Sequence, residues 1–200
     1  MENRKVVAIV GAQSVGKTTL LKALKEKLFE YDRLDSFCFP HSSARTLPDI
    51  GLKINENGDE MTQLYIASND VRLYLESDKS KHLISDRSIF DTYIYTISAF
   101  NHKQVKDEVL YIVFVLLQKI LSQYTHVLLI QPEFKIEDDG VRSTSENWRT
   151  EINDLFLEFY KEIRSNIYLR NLFPKTKFGY LTGDIEMRVE QFFREIDYKL

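Results

Sequence analysis

The sequence predicts an α/β fold of three layers, a five-stranded parallel sheet with helices on both faces, in one domain over residues 1–200. Three observations carry that expectation. Five short apolar runs alternate with stretches of helical periodicity. The first run stops at a glycine, and the loop that follows opens directly into a helix. The chain is 44% hydrophobic and 28% charged over 200 residues, enough apolar material for one packed core.

Val6 to Val10 is short, apolar and β-branched, as a fully buried parallel strand requires. From Lys17 to Phe29, Leu20, Leu21, Leu24 and Leu28 form a helical stripe. Phe37-Cys38-Phe39 reads as a second strand before Pro40, and 41–58 as irregular, with turn signals at Pro48, Gly51 and Asn57-Gly58. Met61 to Leu75 is predicted helical, with Leu64, Val71 and Leu75 near one face. His82 to Ser85 is a third strand, ending at Asp86-Arg87. Helices are predicted over Ser88–Phe100 and Lys103–Gln123, and a fourth strand over Val127–Ile130. A polar loop, 134–145, leads to one long helix from Asn147 to Leu169, striped by Ile152, Leu155, Phe159 and Ile163. Phe178–Leu181 and Ile185–Ile196 complete the pattern as strand and helix. There is no internal repeat, and 7 Gly and 4 Pro leave little room for linkers.

Composition narrows the function classes. A net charge of −3 argues against a general nucleic-acid binder. The single cysteine, Cys38, excludes an intrachain disulfide and a cysteine-based zinc site, and fits a reducing, cytoplasmic setting. The apolar run near the N-terminus is too short for a signal segment, and Val109–Leu117 is too short to span a bilayer. No membrane association is expected.

The segment Gly11-Ala12-Gln13-Ser14-Val15-Gly16-Lys17-Thr18 matches the Walker A pattern G-x-x-x-x-G-K-[ST] at each specified position. The domain is therefore expected to be of the P-loop NTPase type. Backbone N–H groups of such a loop turn inward onto phosphate oxygens, Gly16 lets the chain approach closely, and the helix N-terminus adds a favourable dipole. Lys17 reaches the β and γ phosphates and Thr18 offers its hydroxyl to Mg²⁺. The candidate nucleotide contacts are Gly11, Ser14, Val15, Gly16, Lys17, Thr18 and Thr19, with ATP and Mg²⁺ as the cofactors.

Asp86 and Arg87 end the third strand, where open α/β sheets bind ligands. Asp86 can hold Mg²⁺ with Thr18 or accept a proton from an attacking hydroxyl, and Arg87 can neutralise a transferring phosphoryl group. Alternatively Ser85, Asp86 or Ser88 simply caps the next helix. Arg142 and Arg149 flank a polar stretch that can close as a lid, or they sit at a solvated helix start. On the acceptor side the candidates are Arg45, Gln63, Tyr65 and Asp91, with Tyr65 and Phe90 as stacking partners unless they belong to the core. No Ser-His-Asp or Cys-His grouping supports nucleophilic hydrolysis.

Together GAQSVGKTTL at 11–20, SARTLPDIG at 43–51, ISDRSIFD at 84–91, the EDDGVR…WR stretch at 137–149 and LTGDIEMRV at 181–189 resemble a known group. The chain resembles the P-loop kinase-like AAA family that includes the ribosylnicotinamide kinase domain of NadR-type proteins, and more distantly nucleoside and nucleoside monophosphate kinases. The resemblance implies strand order 2-3-1-4-5, an acceptor region at about 41–78 and a lid at about 137–150. It implies that Asp86-Arg87 lies near the reaction centre, that Arg142 and Arg149 contact phosphate, and that Thr182-Gly183-Asp184 packs near an adenine. Relatives among nucleoside kinases are often homodimers. Ser42-Ser43-Ala44-Arg45 departs from the Glu-Tyr-Ala-Arg form of NadR-type domains.

The leading expectation is a kinase moving the γ-phosphoryl of ATP to a small nucleoside- or nucleotide-like acceptor. The alternatives are a nucleotide-dependent regulatory ATPase or switch, and a kinase acting on a hydroxymethyl base within DNA, against which the acidic balance counts.

Overall fold

A computed structural model describes residues 3–40, 47–133 and 144–200. Five parallel strands form one sheet: β1 (Val6–Val10), β2 (Phe37–Cys38), β3 (His82–Asp86), β4 (His126–Ile130) and β5 (Lys177–Leu181). Their spatial order is β2-β3-β1-β4-β5, as the family resemblance implied. β1 lies at the centre with all five residues buried, which is why its sequence lacks alternation. Its partners are in register from Val6↔Leu83 to Ile9↔Asp86 on one side and from Val7↔His126 to Val10↔Leu129 on the other. The carboxyl ends of β1 and β3 thus reach the same edge, and this alignment brings Asp86 to Thr18 at the end of the loop that follows β1.

The connecting helices are α1 (Lys17–Glu30), α2 (Glu60–Glu76), α3 (Ile89–Asn101), α4 (Asp107–Leu121), α5 (Glu146–Ser165), α6 (Ile167–Leu172) and α7 (Ile185–Glu195). α1 packs against α7, while α3 packs against α2, α4 and α5, so helices cover both faces of the sheet. Phe90 joins the layers. Its ring, fully buried, meets Phe156, Phe159 and Tyr160 of α5 and Phe178 of β5 at centroid separations of 5.4–6.3 Å. Phe90 is therefore core, not an acceptor-stacking ring.

Three boundaries differ from the periodicity. The expected helix over 147–169 breaks at Asn166, whose extended backbone ends α5 and whose side chain accepts from the N–H groups of Tyr168 and Leu169 to start α6. Local capping by an Asx side chain competes with helix continuation there. The expected start of α4 at Lys103 moves to Asp107, because Lys103 adopts φ 60°. On α2, Leu64 and Val71 pack half-buried against the core as the periodicity predicts, but the fully buried residues are Thr62, Gln63, Ala67 and Asp70, and Leu75 is 61% exposed.

Candidate functional site

Gly11 follows β1 at φ +148°, and a Cβ there would strike the backbone carbonyl oxygen of Ile130 on the neighbouring strand. Gly16 ends the loop at φ +90°, with the Arg188 guanidinium 3.3 Å from where a Cβ would sit. These are the two glycines that the motif fixes, and each has a steric reason. α1 begins after Gly16 with no side-chain cap and no acidic residue in its first turn. Its N-terminal N–H groups are thus left to bind an anion. The Lys17 side chain is buried and its ammonium donates to the carbonyls of Gly11, at 2.5 Å, and Ala12, at 2.6 Å.

The end of β3 meets the start of α1. The Thr18 hydroxyl donates to Asp86 Oδ2 at 2.9 Å. Mg²⁺ keeps several waters and takes one or two protein oxygens besides the phosphates of its substrate. An adjacent hydroxyl and carboxylate at the mouth of the loop fit that donor set. Among the described residues no cluster of three or more His, Cys, Asp or Glu competes as a metal site.

Ser88, not Asp86, caps α3: its hydroxyl accepts from Phe90 N–H, and Asp91 Oδ2 accepts from Ser88 N–H in a capping box. Asp91 Oδ1 accepts from Gly11 N–H at 3.3 Å, so one carboxylate ties the glycine loop to α3. Burial pushes Asp91 up to about 6, against the opposing charges of Lys17 and Arg87 and its two backbone hydrogen bonds. Arg87, between them, adopts φ +80°, a left-handed conformation that costs about 1–3 kcal/mol in a non-glycine residue. Its guanidinium lies 5.9 Å from the Tyr95 ring centroid. Burial opposes its charge, but Tyr95, Asp91, Asp86 and Asp70 outweigh that and hold it above the ordinary arginine value.

A cavity of about 230 Å³ opens between these elements. Residues 13–18 of the loop line one side, Asp86, Arg87 and Asp91 line the middle, and Thr62, Gln63, Ile66 and Asp70 of α2 line the other. Thr92, Tyr95 and Trp148 complete the wall.

Of the expected residues, Gln63, Asp86, Arg87 and Asp91 share this cavity with Ser14, Val15, Gly16, Lys17 and Thr18. Gly11 lies beneath the loop, and Thr19 is an exposed residue of α1. Tyr65 is 46% exposed and does not line the cavity, because it falls on the outer face of α2. Arg149 is buried in the first turn of α5 and pairs with Glu146 at 2.5 Å, while its neighbour Trp148 faces the cavity. Arg45 and Arg142 lie outside the described residues.

The sequence reading missed three groups. Gln13 is 3% exposed and its Oε1 accepts from the Tyr95 hydroxyl at 3.2 Å. Arg188, at 2% exposure, donates to the Val15 carbonyl at 2.9 Å and pairs with Glu133 at 3.1 Å, bracing the loop from α7. Glu133 in turn accepts from Gly183 N–H, which fixes the 182–184 turn. Asp70 is buried at the cavity floor, and burial pushes its carboxyl up to about 7. The Thr92 hydrogen bond and Arg87 oppose the rise, and the charge of Asp91 adds to it. Gln13 is an unspecified position of the glycine loop, Arg188 falls in the loosely patterned 181–189 stretch and Asp70 in no motif, so each is found only by asking what the cavity and loop touch.

Residues 6–170 match the AAA domain family. The chain belongs to that family. A comparison with curated protein sequences finds no match. Among solved structures, the domain is similar to deoxyadenosine kinase from M. mycoides with products dCMP and a flexible dCDP bound. There the TM-score is 0.68 at 14% identity, over 96% of this chain and 98% of that one. It is similar to NadR protein in complex with NR, with a TM-score of 0.68 at 16% identity, over 98% of this chain and 53% of that one, so it spans about half of that protein. Thymidylate kinase from Ehrlichia chaffeensis matches with a TM-score of 0.64 at 13% identity, over 97% of this chain and 99% of that one. At such identities the likeness establishes the fold. Among the described residues no helix is long and apolar enough to cross a membrane.

Proposed function

We propose that the protein is an ATP-dependent phosphotransferase that moves the γ-phosphoryl group to a hydroxyl or phosphate of a nucleoside- or nucleotide-like acceptor. The observation that carries this reading is the single cavity lined by the phosphate-loop residues 13–18 on one side and by α2 on the other. A nucleotide seated on the loop would direct its terminal phosphate into a space large enough for part of a second molecule. A switch protein needs no second pocket at that point.

The loop N–H groups and Lys17 bind the polyphosphate, Arg87 neutralises charge on the transferring group, and Asp86 with Thr18 would hold Mg²⁺. When bound, Mg²⁺ would supply charge neutralisation on the polyphosphate. The acceptor oxygen forms its bond to the γ phosphorus as the bond to the bridging oxygen breaks. The electron pair leaves with ADP, and the acceptor's proton is released towards the remaining oxygen of Asp86. Positioning accounts for most of the acceleration, because little covalent chemistry falls to the protein. The likeness to NadR protein and to deoxyadenosine and thymidylate kinases supports an acceptor of nucleoside type.

The test is incubation with γ-labelled ATP, Mg²⁺ and a panel of nucleosides and nucleoside monophosphates. Label is expected in a phosphorylated acceptor. Label appearing only as inorganic phosphate would contradict the proposal.

A further inference from the structure

Two buried acids of the cavity take no part in the transfer chemistry, and while Asp91 is engaged by the N–H groups of Gly11 and Ser88, Asp70 is not. It reaches the floor from α2, on the same face as Gln63, two helical turns earlier. Its Oδ2 accepts from the Thr92 hydroxyl at 2.6 Å, inside the range of a hydroxyl bonded to an ionised carboxylate. That is its side-chain hydrogen bond among the described residues, and it leaves Oδ1 to the cavity that Asp70 lines. Thr92 is itself fixed, since its carbonyl accepts from the Thr96 hydroxyl at 2.7 Å, and that hydroxyl also lies 3.2 Å from Gln63 Oε1. Gln63, Asp70 and Thr92 thus line the floor, with Thr96 fixed behind them and one acceptor oxygen of Asp70 left over.

Resting on the phosphotransferase reading, we infer that Asp70 is the acceptor-recognition residue and selects a nucleoside whose base presents an exocyclic amino group to it. An oxo group in that place would set a carbonyl oxygen against a carboxylate oxygen, two acceptors without a proton between them. Desolvated like pairs of this kind are what give polar sites their discrimination. The charged and titratable groups around Asp70 are Arg87 and Asp91 from the β3–α3 junction and Tyr124 before β4. Arg87 favours the ionised form, Asp91 disfavours it, and Tyr124 is held neutral by burial. A donor from the ligand adds to the side of Arg87, so acceptor binding expels a proton wherever Asp70 carries one.

Calorimetry of nucleosides without ATP tests this separately from transfer. The pairs are adenosine against inosine and cytidine against uridine, at pH 8 and pH 6, with the wild type and Asp70→Asn. In the wild type the amino member of at least one pair binds about 10–100-fold tighter than its oxo partner, the span of one charge-assisted hydrogen bond. Its affinity falls roughly tenfold from pH 8 to pH 6, as one proton linked near pH 7 requires. Asp70→Asn loses both the preference and the pH dependence while keeping a cooperative melt. Should that variant fail to fold, Thr92→Val, which removes the orienting hydroxyl, is expected to cut the preference. Equal or reversed binding within both pairs, no binding by any of the four nucleosides, or a preference that survives in Asp70→Asn would overturn the inference. Absence of label transfer with the amino preference intact would instead overturn the phosphotransferase reading.

Discussion

Replacing Gly11 with Ala separates two effects that the fold combines at the loop. The first is conformational: at φ +148° an L-residue is strained by about 1–3 kcal/mol. The second is steric: the new methyl would start inside contact distance of the Ile130 carbonyl, with Val15 Cγ2 also only 3.3 Å from it. Ile130 cannot yield easily, because it belongs to buried β4 and pairs with Leu181 of β5. Overpacking of this kind adds about 1–3 kcal/mol. The sum, about 4 kcal/mol, lowers Tm by about 8–16 °C for a domain of this size. Gly51→Ala is the internal control, because Gly51 has φ +78° but nothing within 4 Å of its added Cβ. Only the strain term applies there, so a loss of about 2–4 °C per kcal/mol of strain is expected. The assay is thermal unfolding of both variants, followed by nucleotide titration. Gly11→Ala should also weaken nucleotide binding, because the methyl can be relieved only by moving the loop off the sheet. Equal melting losses for the two variants, or unchanged nucleotide affinity in Gly11→Ala, would refute the reasoning.

Lys17→Ala should lower phosphoryl transfer by about 10²–10³-fold, the usual loss for one preorganised charge, with the melting temperature read in parallel to exclude unfolding. Asp70→Asn should change the pH dependence of stability. A carboxyl raised from 3.8 to about 7 on folding leaves the native state fully stable below pH 4 and costs it stability progressively as pH rises to 7. The variant should therefore melt near the wild type at pH 4 and above it at pH 8, by up to about 4 kcal/mol. A gap that fails to widen with pH would exclude a buried, raised Asp70. Asn166→Ala removes the side chain that caps α6 and should cost about 1 kcal/mol, seen as a fall of about 2–4 °C with unchanged turnover.

The nucleotide loop was legible because its chemistry is local. A strand, two glycines, a lysine and a threonine at fixed spacing must fold one way to cradle phosphate, and Gly11 and Gly16 do have the positive φ that the pattern demands. Strand positions were legible for the same reason, since a strand buried on both faces reads as an unbroken apolar run. Asp70 was not legible, because an acid on a helix reads as a solvated charge unless the cavity beneath it is known. The apolar pattern of α2 pointed to Leu64, Val71 and Leu75; the first two do pack against the core, but Thr62, Gln63 and Asp70 are buried more deeply, and Leu75 is exposed. Arg188 was equally hidden: its partner carbonyl at Val15 lies 173 positions away in sequence, and only the packing of α7 on α1 joins them. Tyr65 shows the reverse error, where an aromatic near a site-facing residue falls on the opposite face of the helix.

The central claim is that donor polyphosphate and acceptor meet in one cavity between the glycine loop and α2. Binding of a bisubstrate compound, in which adenosine and an acceptor nucleoside are joined through a polyphosphate chain, measures that directly. It is predicted to bind more tightly than ATP or the nucleoside alone and to displace both. A compound that displaces only ATP, or binds no better than ATP, would contradict a shared cavity.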